Sequence, residues 1–317
     1  MDFSQGFKVL PGTRVKLKDI DPAFTDGYKD HEAADEEIVQ LQKRLRELQT
    51  LLYAQRQHSL LICLQAVDTG GKDGTISHVL GAMNPQGCRV AAFRQPTAEE
   101  LAHDFLWRAH RAAPTRGEVV IFNRTYYEDL LIVRVHNLVP EDVWSRRYDL
   151  INAFEKGLVE HDTHILKFYL HISKEEQLER FRNRLDDSSK QWKISEADYQ
   201  ERRFWDDYVS AYEDALARCS TKDAPWFIIP ANHKWFRNLA VARIVVEHLE
   251  FSQPFLELCD LRIRRLVICI TVLERRVDIF ELHPGVRLHF KVLQIVHSRR
   301  HPPSAPSKVN YQDRARP

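Results

Sequence analysis

An apolar run, Leu60-Leu61-Ile62-Cys63-Leu64-Gln65-Ala66-Val67, feeds Asp68-Thr69-Gly70-Gly71-Lys72-Asp73-Gly74-Thr75. Glycines let backbone N–H groups turn toward an anion, the lysine adds a point charge, and the helix that follows offers its N-terminus. Strand, double glycine, lysine and helix in that order read as a loop that cradles phosphoryl groups. It is not a standard Walker A loop, whose G-x-x-x-x-G-K-[ST] pattern puts a hydroxyl on Mg²⁺. Ala66 takes the first glycine's place, and Asp73 follows Lys72 where Ser or Thr is expected. Asp68 would repel bare phosphate, so it makes chemical sense with Mg²⁺ between its carboxylate and the phosphates. Asp68 and Lys72 are the candidate catalytic residues of the loop. Gly70, Gly71, Asp73, Gly74 and Thr75 are candidate phosphate- or nucleotide-binding positions.

A second constellation follows another short apolar run: Val119-Val120-Ile121-Phe122, then Asn123-Arg124-Thr125-Tyr126-Tyr127-Glu128-Asp129. In nucleotide-binding α/β folds the site lies at the carboxyl edge of the sheet, because the loops leave the strands there. Arg124 suits an equatorial phosphate oxygen. Asn123 occupies the position of a Walker B aspartate and is neutral, which leaves Asp68 and Glu128 as the candidate metal ligands. The competing reading of Arg124 and Glu128 is a surface ion pair. A third group, Arg180 and Arg184 with Lys190 and Lys193, lies in a charged stretch. Arginines four apart share a helix face. On a flap over phosphates they would exclude water and neutralise transition-state charge; the competing reading is a solvated helix paired with Glu175, Glu176 and Glu179. His136 reads as a structural histidine.

The elements that position these residues follow from periodicity. Residues 31–57 carry Ile38, Leu41, Leu45, Leu48, Leu51 and Leu52 at helical spacing. Strands are expected at about 59–67, 88–93, 118–122, 164–172 and 226–229. Helices are expected at 74–83, 97–111, 140–160, 174–184, 197–218 and 235–249. Thr97 and Glu100 form a capping box. Strands alternating with helices imply an α/β fold: three layers, α/β/α, with a central parallel sheet of about five strands. The expected division is an N-terminal extension and long helix (1–58), an α/β domain that carries the phosphate loop (59–262) with a candidate helical lid at about 174–196, and a basic tail (263–317). From Arg262 onward 12 Lys or Arg face four Asp or Glu, and the α/β rhythm stops.

Composition bounds the partners. The 317 residues are 44% hydrophobic and 29% charged, with a net charge of +1, so nothing global points to nucleic acid or a membrane. Five scattered cysteines without a C-x-x-C pair read as reduced thiols. The first residues lack the pattern of a signal peptide, and no apolar run nears the roughly 20 residues of a bilayer span. A cytoplasmic location is therefore expected.

Taken together, Val67-Asp68-Thr69-Gly70-Gly71-Lys72-Asp73-Gly74-Thr75, Phe122 to Asp129, Arg134-Val135-His136, Lys190-Gln191-Trp192-Lys193 and Ile229-Pro230-Ala231-Asn232-His233-Lys234-Trp235 closely resemble the polyphosphate kinase type 2 family, from about Phe7 to about Arg262. The resemblance implies a P-loop kinase fold with a lid, and a Mg²⁺-dependent transfer (Mn²⁺ being the alternative ion) between inorganic polyphosphate and nucleotides: AMP to ADP, ADP to ATP, or the reverse. By that resemblance Asp68 and Lys72 belong to the Walker A site, and Asn123, Arg124 and Glu128 to the Walker B region. Arg180 and Arg184 match lid arginines, with Lys190 and Lys193 beside them. The Asn-Arg form resembles the subgroup that accepts both AMP and ADP, and the family implies a homo-oligomer. Lys16, Lys18, Arg94 and Arg124 are candidates to line the polyphosphate channel. Two other functions fit the loop: an ATP-dependent nucleoside monophosphate kinase, and a catalytically silent polyphosphate- or nucleotide-binding protein.

Overall fold

The computed structural model describes residues 2–251, all within one compact unit, Met1–Asp260. The basic tail, the apolar run at 266–273 and two cysteines, Cys259 and Cys269, lie outside the described residues. Five strands form one parallel sheet: β1 (Ser59–Gln65), β2 (Cys88–Ala92), β3 (Val119–Asn123), β4 (Thr163–His171) and β5 (Trp226–Pro230), in the order β2-β3-β1-β4-β5. Every residue of β1 is buried, as a central parallel strand covered on both faces requires. Its side chains alternate. Leu60, Ile62 and Leu64 join a core with the long helix Glu32–Gln55 and the closing helix Lys234–Phe251, while Leu61 and Cys63 join a second core with Phe122, Tyr126 and Ile151. The three-layer α/β fold and the five strands match the expectation.

From β1 the chain builds β2 and β3 on one side, then crosses to β4 and β5 on the other. The loops after β1 and β3 therefore part at the sheet's carboxyl edge, the place where α/β sheets bind ligands. The register Leu64↔Asn123 brings the ends of those two strands level.

Several boundaries differ from the periodicity. The expected helix at 97–111 breaks into Ala98–Leu101 and Trp107–Ala112. Asp104 accounts for the break, since its carboxylate accepts from the Leu106 N–H at 2.9 Å and restarts the chain in a new turn. The capping box of Thr97 and Glu100 is present. The helix after the loop begins at Lys72 rather than Gly74, because Gly71 turns the backbone at φ +109° and closes the loop. Residues 197–218 divide at a 3₁₀ turn, Arg202–Phe204, into Glu196–Glu201, which opens on a second capping box of Ser195 with Asp198, and Trp205–Arg218.

The polar N-terminal segment is more structured than its composition implies. Phe3 and Phe7 pack on Phe236. The Val9 N–H donates to the Trp226 carbonyl (2.8 Å) and the Ile228 N–H to the Phe7 carbonyl (2.9 Å), an antiparallel contact along the outer edge of β5. Sequence reading also missed a buried ion pair, Lys167 with Glu155 at 2.5 Å. Tyr126 and Tyr127 both donate to the same Glu155 oxygen at 2.8 Å, and Lys167 donates to the Cys219 carbonyl at 2.6 Å.

Candidate active site

The loop between β1 and the helix Lys72–His78 holds two left-handed residues, Thr69 (φ +62°) and Gly71. Arg124, the first residue after β3, is also left-handed (φ +60°). Non-glycine residues seldom occupy this region, and such strain gathers where side chains are aimed for function. The turn at Arg124 sends its guanidinium across to β1, where Nη2 donates to Asp68 Oδ1 at 2.7 Å. One residue earlier, Asn123 Nδ2 donates to Asp73 Oδ1 at 2.9 Å. Two strand ends are thus tied by two side-chain contacts, each joining the phosphate-type loop to the second constellation.

Lys72 is buried, and its Nζ donates to the Ala66 carbonyl at 2.9 Å. Burial chiefly, with the nearby Arg124 charge adding, lowers its pKa; Asp68, Glu128 and Asp73 oppose. That bond holds the ammonium against its own loop. Gly70, Gly74 and Thr75 sit beside it, with Thr75 Oγ1 donating to the Gly71 carbonyl at 3.2 Å. A Cβ at Gly70 would come within 2.4 Å of Ala66 Cβ, so the turn needs glycine there.

Asp68, Arg124 and Glu128 open onto a cleft of about 200 Å³. Its lining also includes Ile132, Gln177, Trp205, Tyr208 and Tyr212. Acidic and cationic groups share the cleft with aromatic rings, a combination that suits a phosphorylated aromatic ligand. Glu201, on the cleft wall, is held by His136 Nε2 at 2.7 Å and by the Tyr208 hydroxyl, which fits the structural reading of His136. Burial and the Glu201 contact push the Tyr208 hydroxyl pKa well up, so it acts as a donor.

The basic stretch divides in two. Arg180, in the helix Lys174–Asp186, is 6% exposed. Its guanidinium is taken up by protein: Nη1 donates to the Thr69 carbonyl (2.9 Å), Nη2 to those of Ala231 (2.5 Å) and Asn232 (3.1 Å), and Nε to Glu176 (2.6 Å). It therefore ties the loop to the turn after β5. Gln177, one turn earlier, donates to the Asp68 carbonyl at 3.1 Å. Arg184 lies farther out and donates to the Lys193 carbonyl at 2.9 Å, closing the turn of the expected lid. Lys190 pairs with Asp187, and Lys193 sits over the exposed Trp192 ring. Arg180 thus bonds the loop directly, while Arg184, Lys190 and Lys193 make contacts with the turn of the expected lid. Lys16 and Lys18 are exposed on the N-terminal segment, and the expected channel residue Arg94 is also exposed.

Two residues next to the loop escaped sequence reading, Gln177 and Arg237. Arg237 lies in the closing helix, far from the loop in sequence, and its guanidinium lies against Gly71 and Gly74. No local motif announces such a contact.

The donors available to a metal are carboxylate oxygens, the hard ligands that Mg²⁺ takes. Among the described residues no group of three or more His, Cys, Asp or Glu is arranged to hold a metal. Asp68 and Glu128 on one cleft wall fit an ion that draws most of its ligands from water and phosphate, as Mg²⁺ does. No helix among the described residues is long and apolar enough to cross a membrane.

Comparison with known proteins identifies the family. The family model described as Polyphosphate kinase 2 (PPK2) matches residues 28–255. The AMP/ADP-polyphosphate phosphotransferase of Meiothermus ruber is 51% identical over 245 residues, covering 77% of this chain and 92% of that one. The ADP-polyphosphate phosphotransferase of Rhodopseudomonas palustris is 43% identical over 260 residues, covering 77% and 89%. The crystal structure of polyphosphate kinase 2 from Arthrobacter aurescens TC1 superposes with a TM-score of 0.77 at 43% identity, over 80% of this chain and 90% of that chain.

Proposed function

Because the chain belongs to the polyphosphate kinase 2 family, we propose that it transfers phosphoryl groups between inorganic polyphosphate and AMP or ADP. The observation that carries this reading is the joined site at the ends of β1 and β3, Asp68–Arg124 and Asp73–Asn123, in a chain that shares 51% identity with an AMP/ADP-polyphosphate phosphotransferase.

Phosphoryl transfer asks a protein for positioning and charge neutralisation more than for covalent chemistry. The cleft beside Asp68 takes the acceptor nucleotide, its base against Trp205, Tyr208 and Tyr212 and its phosphate toward Arg124. The acceptor oxygen belongs to a phosphate already ionised near neutral pH, so no strong general base is required. Lys72 and the loop amides hold the transferring group. Asp68, fixed by Arg124, orients the acceptor end. Asp68 and Glu128 would hold Mg²⁺, which when bound supplies neutralising charge to the phosphate oxygens. Arg184, Lys190 and Lys193 are the cations that a closing lid would bring toward the phosphates and with which it would exclude water.

Purified protein incubated with polyphosphate, MgCl₂ and AMP or ADP should yield ADP or ATP, separated by ion-exchange chromatography. No product with any nucleoside mono- or diphosphate would sink the proposal. Phosphorylation of AMP by ATP at a comparable rate, without polyphosphate, would assign the chain to the nucleoside monophosphate kinases instead.

A further inference from the structure

Glu128 lines the cleft, and among the described residues none bonds its carboxylate oxygens at hydrogen-bond or ion-pair distance. Its aim is therefore set by the backbone of its own turn. That turn, Tyr126–Asp129, is a single 3₁₀ turn of four residues. Short 3₁₀ turns have poor internal hydrogen-bond geometry, so outside contacts must fix it.

Those contacts fall on every residue of the turn except Glu128. Thr125 opens it by accepting from the Tyr127 N–H at 3.0 Å, and Gln65, at the end of β1, donates to the same hydroxyl at 3.3 Å. Tyr126 and Tyr127 are fully buried and give both hydroxyls to Glu155. Asp129 closes the turn, where Arg147 Nη1 donates to its carbonyl at 3.0 Å and to its Oδ1 at 2.8 Å. Glu155 and Arg147 both belong to the helix Arg147–Glu160. One helix thus grips the turn at both ends, with the candidate metal ligand between the grips.

The Arg147–Asp129 grip has the marks of a built contact. Its side chains are only 14% and 20% exposed, so water screens the pair little. The guanidinium lies over the Phe105 ring at 4.8 Å. One nitrogen reaches a carbonyl and a carboxylate of the same residue, which fixes backbone as well as side chain. Arg147 is also the first residue of its helix. A cation there opposes the helix dipole, so helix stability does not account for it. Neither Arg147 nor Asp129 lines the cleft.

We propose that Arg147, acting through Asp129, is a positioning residue that keeps the Glu128 carboxylate aimed into the cleft for a divalent cation. The inference rests on the reading of the cleft given above. Mg²⁺ holds its ligands at about 2.0–2.1 Å in a strict geometry, so a small swing of the turn costs affinity. The tyrosine end stays anchored when the aspartate end is freed, and the fold survives the change.

The test uses the full chain and the variants Arg147→Ala, Arg147→Lys and Glu128→Gln. Mn²⁺ is the probe, followed through the electron paramagnetic resonance of the free ion with ADP present, polyphosphate absent and an ADP blank subtracted. Arg147→Ala should weaken Mn²⁺ binding by about tenfold or more, the usual cost of losing a group that orients a metal ligand. Arg147→Lys keeps a cation but not the planar fork and should weaken it by about threefold. The Mg²⁺ concentration for half-maximal rate should rise by the same factors, with the polyphosphate KM within about twofold. A merely structural role would instead lower the melting temperature and move every constant together. Unchanged Mn²⁺ binding in both Arg147 variants overturns the inference, as does an equal rise in the polyphosphate KM. If Arg147→Ala does not fold, Arg147→Lys decides alone, and unchanged binding there counts against. If Glu128→Gln binds Mn²⁺ as the wild type does, Glu128 holds no metal and the inference falls. If the wild type binds Mn²⁺ through Glu128 yet turns over no polyphosphate, the functional reading fails and the positioning role stands.

Discussion

Replacing Arg180 with alanine separates two accounts of that residue. As a lid arginine it would touch phosphate and matter only during turnover. In the structure its guanidinium is committed to the Thr69, Ala231 and Asn232 carbonyls, while Nε holds Glu176. Ala231 is fully buried, so its carbonyl has little recourse to water. A hydrogen bond to a charged group is worth about 1.5–3 kcal/mol, and an orphaned buried acceptor costs about 1–3 kcal/mol. Water entering the space left by the side chain recovers part of this, and a net loss of about 3 kcal/mol follows. For a domain of this size that lowers Tm by about 6–12 °C. The assay is thermal unfolding of the ligand-free protein, followed by circular dichroism, beside kcat on the same preparation. The loop would also lose its tie to the turn after β5, so turnover should fall with stability. A variant with an unchanged Tm and no turnover would refute the reasoning, since it would place the guanidinium on substrate rather than on backbone.

Three other perturbations test separate parts of the molecule. Lys72→Ala should reduce kcat by about 10²-fold or more, the scale seen when one preorganised donor to a reacting oxygen is removed, while circular dichroism shows the fold intact. Glu155→Gln leaves the fully buried Lys167 ammonium without its anion and should cost about 3–5 kcal/mol in urea unfolding; the double change Glu155→Leu with Lys167→Met should cost less than that single one. Burial chiefly, with His164 and Lys8 adding, pushes the His248 imidazole down to about 4 from 6.5. The unfolded chain then takes up a proton that the folded one refuses, so stability is full above pH 6.5 and is lost as pH falls toward 4, by about 2–3 kcal/mol. Unfolding midpoints between pH 7 and 4.5 should show this slope, and His248→Asn should flatten it.

The parallel sheet was legible because each strand is a short apolar run between turn residues, and β1 shows it most clearly. The loop was legible because glycines, lysine and aspartate sit within a few consecutive positions. What escaped were features made by distant residues. Lys167 lies within the apolar strand β4, and nothing local predicts that Glu155, 12 positions away, will meet it with two tyrosine hydroxyls. Arg237 sits 166 positions beyond Gly71, on the closing helix, and only folding lays one on the other. Arg180 and Arg184 share a spacing, yet burial separates their roles, and spacing carries no information about burial. The helix break at Asp104 depends on one side chain competing for a backbone N–H, a contest that periodicity averages away.

The antiparallel contact between the N-terminal segment and β5 bears on how the chain is made. Ser220 Oγ donates to the Val9 carbonyl at 2.6 Å across 211 positions. The ribosome releases this segment long before the strand it lines has been synthesised. The segment is therefore among the last parts of the described fold to find its partner. A fusion or deletion at this end should act on the yield of completed chains, through the final docking step, more than on chemistry at the far edge of the sheet.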